Sequence, residues 1–226
     1  MWSANGSAVD YSGCPVLQHG YGPFDYRTAT KQQLLLVEGA HFFPNVENLR
    51  DGTPHPNRGY PIVAGGEIDY TLRAFPNHHR ALLALSKLAQ RDKSERPKGV
   101  KAPVECYFKA AMNFRDDDSY VYMIYGIHLS RSARTAEAIE YFDKAKALGD
   151  DSANLHYNLG LAYYHAKRYP EALSEAHKAY AAGFPLDGLK NLLVKSGHWK
   201  EAPRVAPAEA PAGKTEVEGE SAAAAQ

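Results

Sequence analysis

Ten histidines are the residues of this chain best suited to metal binding or acid–base chemistry. His78 and His79 are adjacent at the start of a predicted helix, so their side chains diverge by about 100°. The sequence has no His-Glu-x-x-His pattern, no Cys-x-x-Cys pair and no Gly-x-Ser-x-Gly turn. We therefore predict no catalytic residue, no metal site and no cofactor. A metal-dependent enzyme that uses His41, His78 and His79 is the least favoured hypothesis.

A second group of polar residues lies within otherwise aromatic segments of the first eighty residues. Buried charges are normally retained by pairing, so we favour an ion-pair network that fastens this region onto the helices, rather than a pocket. The group consists of Asp25, Arg27, His41, Asp69, Arg73 and His79.

The composition excludes several classes of function. The 226 residues contain 26 basic and 26 acidic side chains, so no net positive field attracts nucleic acid or an anionic membrane. No apolar run approaches the roughly 18 residues of a membrane span. The first residues, as written, lack the basic and apolar parts of a signal peptide. We predict no nucleic-acid partner and no membrane span.

The elements that position these residues change character along the chain. Residues 1–76 are rich in Gly and Pro, which predicts an irregular segment with two brief helices. Thr30 and Gln33 form a capping-box pattern before the first helix, which we expect to stop at Gly39, and Pro44 suits the first turn of the second. Gly65-Gly66 is predicted to be a turn and 70–75 to be extended.

Residues 77–200 have apolar residues at helical spacing and are predicted to form successive helices, with a polar loop at 91–102. Residues 201–226 are rich in Ala, Pro and Glu and lack aromatic residues, so we predict a disordered tail. Within the helical part, small residues recur at an interval of 34. The matching pairs are Gly126 with Gly160, Ala138 with Ala172, and Ala145 with Ala179. Such a period is typical of stacked helical pairs.

These segments resemble the tetratricopeptide repeat superfamily. The resemblance is carried by Tyr122–Gly126 with Ala138–Ala145, and by His156–Tyr164 with Tyr169–Ala172. It implies an all-α solenoid of short helical hairpins, wrapped by the irregular N-terminal segment. The expected units are a degenerate repeat at 77–118, repeats at 119–152 and 153–186, and a capping helix at 186–197.

The resemblance also implies a function. In this superfamily the first helix of each repeat lines a concave groove that holds an extended peptide or a partner helix. We therefore predict a non-enzymatic scaffold that binds a protein or peptide. The alternative is a structural or accessory subunit of an envelope assembly, oligomer or filament. The groove residues carried over are Tyr120, Met123, Ile127, Arg131, Asn154, Tyr157, Asn158, Leu161 and His165.

Two cysteines give information on the cellular compartment in which the protein is located. From composition alone, Cys14 and Cys106 are either one exposed and one buried thiol, or a pair in an oxidising space. The flanking segments, among them Tyr21–Arg27 and Asp69–Arg80, loosely resemble a group of uncharacterised, exported proteobacterial repeat proteins. That resemblance favours a periplasmic location and a Cys14–Cys106 disulfide, with a cytoplasmic location as the alternative.

Overall fold

The fold is given by a computed structural model, which describes residues 13–201. Residues 1–12 and 202–226, most of the predicted tail, lie outside the described residues. Within 13–201 the regular elements are helices, apart from an isolated bridge between Pro54 and Pro61. In chain order they are α1 Lys31–His41, α2 Pro44–Glu47, α3 Ala64–Ala74, α4 His79–Asp92, α5 Val104–Phe114, α6 Ser119–Arg131, α7 Thr135–Ala147, α8 Ala153–His165, α9 Tyr169–Ala181 and α10 Gly188–Lys195.

Helices α4 to α9 form three successive pairs. Three residues join α6 to α7, and three join α8 to α9, so the helices of each pair run antiparallel. The α4–α5 connection, 93–103, is longer. Each pair packs on the next, and α10 covers α8 and α9. This arrangement confirms the predicted all-α fold of tetratricopeptide-like hairpins.

Close helix contact explains the recurring small residues. A Cβ at Gly126 would lie 2.7 Å from the ring of Phe142 on the partner helix α7. A Cβ at Gly160 would lie 2.5 Å from Leu189 of α10 and 3.4 Å from the Ala172 carbonyl on α9. Any larger side chain at either glycine would push packed helices apart.

The N-terminal region contains more helix than its composition predicts. The capping box of α1 is present, because Thr30 Oγ1 accepts from the Gln33 amide and Gln33 Oε1 accepts from the Thr30 amide. The helix continues past Gly39 to His41, so the expected stop at Gly39 is wrong. Pro44 opens α2, in the position predicted.

Helix α3 contradicts the predicted turn at Gly65-Gly66 and the predicted extended segment at 70–75. Ile68 and Leu72 lie four residues apart on one buried face, so this stretch gains its stability from tertiary packing. A Cβ at Gly65 would collide with the Lys98 carbonyl in the α4–α5 connection. The glycines therefore mark a close approach of two backbones, not a turn.

A buried polar network fastens residues 21–29 onto the helical pairs, as predicted. Asp25, 8% exposed, accepts from Arg27 at 3.0 Å and pairs with Arg115 at 2.8 Å. Asn77 Nδ2 donates to Asp25 at 2.7 Å. Burial by itself raises the pKa of Asp25. The hydrogen bonds from Arg27 and Asn77, with the charge of Arg27, outweigh burial and hold that pKa well below its usual range.

The same network extends to the start of α6. Asn77 Nδ2 also donates to Asp118 Oδ2 at 2.8 Å, and His79 Nε2 lies 2.9 Å from that oxygen. Asp118 is buried, so this carboxylate at the start of α6 is a structural anchor. The network thus ties three sequence-distant segments together.

Other members of the predicted polar group pair separately on α3. Arg73 Nε donates to Asp69 Oδ2 at 3.0 Å, and the hydroxyl of Tyr107 donates to Asp69 Oδ1 at 2.5 Å. His41 Nδ1 lies 2.6 Å from Glu67, and its ring stacks on Tyr70. These contacts favour the structural interpretation of the group.

Replacing Gly126 by Ala tests the close helix contact. We expect Gly126→Ala to lower the free energy of unfolding by about 1–3 kcal/mol, because the buried Phe142 ring must shift. The matched control is Gly39→Ala in α1, where the nearest atom is 3.8 Å away. It should gain up to about 1 kcal/mol from helix propensity. Urea unfolding measures both, and a stabilised Gly126→Ala variant would contradict the packing argument.

Replacing Asp25 by Asn tests the network. We expect Asp25→Asn to lower the free energy of unfolding by about 2 kcal/mol at pH 7. This loss is smaller than for a fully buried ion pair, because Arg27 and Arg115 are partly solvated. The pKa of Asp25 is lower in the folded protein, so its carboxylate stabilises the fold above pH of about 4 and this contribution is lost on acidification. The difference in the free energy of unfolding between variant and wild type should therefore become smaller toward pH 3.

Urea unfolding at pH 7, 5 and 3 measures that difference. The control is Asp116→Asn, an exposed carboxylate outside the network, which should match wild type within about 0.5 kcal/mol. A pH-independent difference between Asp25→Asn and wild type would show that the carboxylate charge contributes nothing.

Candidate partner-binding surface

The first helices of the three pairs, α4, α6 and α8, lie side by side. Four of the predicted groove residues are on α6 and five are on α8. The exposed and half-buried members, apart from Tyr157, whose ring stacks on Phe184, form what we call the first-helix surface. Its members are Tyr120, Ile127, Arg131, Asn154, Asn158, Leu161 and His165.

The first-helix surface combines aromatic, apolar and polar groups. Tyr120 is 38% exposed, with its ring 4.7 Å from that of His79. Ile127 and Leu161 are half-buried against the core, so part of each side chain remains accessible. His165 is exposed at the end of α8, and its ring nitrogens have no hydrogen-bond partner in the described chain.

Two predicted groove residues are not available to a partner. Met123 is 2% exposed and belongs to the core, so its assignment to the groove is wrong. The reason is that α6 packs against α4 as well as α7, which covers a second face of the helix. Tyr157 stacks on Phe184 with ring centroids 4.0 Å apart, and therefore anchors the turn before α10.

Asn158 keeps free hydrogen-bonding capacity. Its Nδ2 donates to the Asn154 carbonyl at 2.8 Å, a bond within α8. Its Oδ1 has no partner among residues 13–201. An acceptor oxygen on an otherwise anchored side chain suits the backbone N–H of an extended peptide.

A cavity of about 760 Å³ opens at the edge of the array where the α4–α5 and α6–α7 connections lie. We call it the edge cavity. Of the predicted groove residues it shares only Arg131. Its walls come from the end of α4 with the residues after it, the start of α5, the end of α6 with Arg134, and Gly13-Cys14.

One side of the edge cavity is a closed ion-pair cluster. Arg134 contacts Glu105 and also pairs with Glu137 at 2.5 Å, and the Tyr125 hydroxyl donates to Glu105 at 3.2 Å. The hydrogen bond to Glu137, with the charge of Glu105, raises the pKa of Arg134. The carboxylate of Glu105 is thus already paired with a basic side chain within the protein.

Other lining residues, on α4 and α6, are polar and have fewer partners. His128 Nδ1 lies 3.1 Å from Ser86 Oγ, and burial lowers the pKa of His128, so the ring is neutral at pH 7. Arg131 has no carboxylate within 4.0 Å in the described chain. Arg131 remains exposed, and partial loss of water around its guanidinium lowers its pKa.

A disulfide forms part of the cavity wall. Cys14 and Cys106 are joined, with Cα atoms 5.5 Å apart, which confirms the predicted pairing. The bond fixes the start of the described chain to the first turn of α5. The cavity residues Ser86, Lys93 and His128 were not identified from sequence, because only the packing of three helix ends brings them together.

The histidines considered for metal binding make polar contacts within the fold. His78 Nδ1 accepts from the Ala81 amide and its Nε2 lies 2.9 Å from Glu38, while His41 and His79 pair with Glu67 and Asp118. Among residues 13–201 no group of three His, Cys, Asp or Glu is arranged to hold a metal. No helix in that range has the length and apolar character to cross a bilayer.

The fold and surface define an all-α helical repeat protein with a tetratricopeptide-like array. No protein-family model matches the chain, and no curated protein matches it. Among solved structures it is similar to a chain from a functional characterization of Pseudomonas aeruginosa PilF. The TM-score is 0.49 at 19% sequence identity, over 74% of this chain and 68% of that chain.

Removing the disulfide tests its contribution to stability. We expect Cys14→Ser combined with Cys106→Ser to lower the free energy of unfolding by about 2–4 kcal/mol, because the bond closes a loop with a sequence separation of 92 residues. Urea unfolding measures the loss. Wild type unfolded with a reductant serves as the control and should match the variant. An unchanged intact mass on reduction would contradict the bond itself.

Proposed function

We propose that the protein is a non-enzymatic scaffold that binds an extended peptide segment of a partner protein on the first-helix surface. The observation that carries this proposal is the unused hydrogen-bonding capacity of Asn158 and His165 beside the accessible apolar side chain of Leu161. These three groups lie on one helix, at spacings of three and four residues, and so on one face.

The physical basis is complementarity to an extended chain. Stacked first helices offer a surface longer than one helix pair, and repeat arrays use such surfaces for binding. The Asn158 acceptor suits a backbone N–H, while Leu161 and Ile127 suit apolar side chains of the partner. Tyr120 adds broad aromatic contact with little loss of side-chain entropy.

We further propose that the protein works in an oxidising compartment outside the cytoplasm. Disulfides form and persist in such compartments and are rare in the cytosol. The Cys14–Cys106 bond therefore supports export, which the flanking sequence segments also favour.

Substitution of the free polar groups tests the binding surface. Peptides are first selected on the wild-type protein from a random display library. We expect Asn158→Ala combined with His165→Ala to lower the affinity for the selected peptides about tenfold or more. The substitutions remove the hydrogen bonds that the two side chains accept and donate. Fluorescence anisotropy measures the affinity, and circular dichroism checks that helicity is unchanged.

The matched control lies on the second helix of the same pair. Ser174→Ala, at an exposed position of α9, should bind the selected peptides with wild-type affinity. If no peptide can be selected, or if the double variant binds as well as wild type, the first-helix surface is not the binding site.

A further inference from the structure

The edge cavity has the dimensions of a ligand site that the proposed scaffold role does not use. Its volume of about 760 Å³ lies within the range of about 300–1,000 Å³ that is typical of small-molecule pockets. It opens at the connections between helices, whereas the first-helix surface follows the faces of α6 and α8. Only Arg131 belongs to both.

The charges around the cavity favour an anion. Among its lining residues, the basic Lys93 and Arg131 have no ion-pair partner in the described chain, and the acidic ones are Glu95 and Glu105. Of these acids, Glu105 is occupied by Arg134 and by the Tyr125 hydroxyl. The exposed Glu95 has no cation within 4.0 Å in the described chain.

Arg131 is an exposed lining residue whose guanidinium has no ion-pair partner in the described chain. It projects from the end of α6 into the cavity, and no carboxylate of residues 13–201 lies within 4.0 Å of it. A guanidinium presents two parallel N–H donors, which fit the two oxygens of a carboxylate or phosphate. Lys93, across the opening at the end of α4, likewise has no ion-pair partner in the described chain.

We propose that the edge cavity binds a small ligand through its carboxylate or phosphate group, with Arg131 as the principal contact and Lys93 as a second charge. Ser86 and His128 supply neutral polar groups on the inner wall. The Cys14–Cys106 disulfide holds the remaining wall in place, so the cavity is formed before the ligand arrives. Pre-formed walls reduce the ordering cost of binding.

Calorimetric titration of the full chain at constant ionic strength tests the proposal. Three probes are used separately: citrate, inorganic phosphate and a tetra-aspartate peptide. We expect saturable binding of at least one of them, and the probe that binds most tightly identifies the source of the oxyanion. Arg131→Gln should lower the affinity for that probe about tenfold or more, and Lys93→Gln should lower it to a smaller extent.

Matched controls remove the same charges elsewhere. Arg50→Gln and Lys87→Gln, both exposed and outside the cavity, should retain wild-type affinity. The Asn158→Ala and His165→Ala double variant should also bind the probe normally, so failure of the scaffold proposal and failure of this one are distinguishable. Absence of saturable binding to all three probes, or equal affinity in Arg131→Gln and wild type, would overturn the proposal.

Discussion

The rest of the structure depends on the close approach of the two helices within each pair. At Gly126 the ring of Phe142 on the partner helix occupies the space that a side chain would need. At Gly160 a Cβ would lie 3.4 Å from the Ala172 carbonyl of the partner helix and would collide with Leu189 of α10. Ala138 and Ala172 on the partner helices are fully buried, and their small side chains suit this close contact. A glycine within a helix costs about 1 kcal/mol relative to alanine, and the apolar surface that close packing buries offsets that cost.

Polar contacts, in addition to apolar ones, fix the position of the N-terminal region on the helical pairs. Asn77 bridges Asp25 and Asp118, and each carboxylate also contacts a basic side chain. A comparable cluster joins the last two pairs, where the buried Glu175 contacts His156 and Lys146. Buried charges destabilise a fold unless each has a partner, so these clusters require one particular arrangement of segments.

Two surfaces result from this arrangement, and they differ in chemistry. The first-helix surface mixes accessible apolar side chains with unpaired hydrogen-bonding groups, the chemistry that the proposed extended chain would require. The edge cavity is partly open to solvent, richer in basic than acidic groups, and bounded by the disulfide. Arg131 at the end of α6 contributes to both, so the proposed partner segment and the proposed anion would have one residue in common.

The sequence by itself determined the paired helices, because the period of 34 and the small residues at Gly126 and Gly160 are local signals of helix packing. It also indicated that the polar group around Asp25 pairs internally. Only the tertiary structure decided that Met123 is buried, that Gly65 lies in a helix, and that Lys93 and Arg131 face one cavity. The physical reason is that periodicity describes one helix at a time, whereas burial and cavity shape depend on which neighbours cover each face.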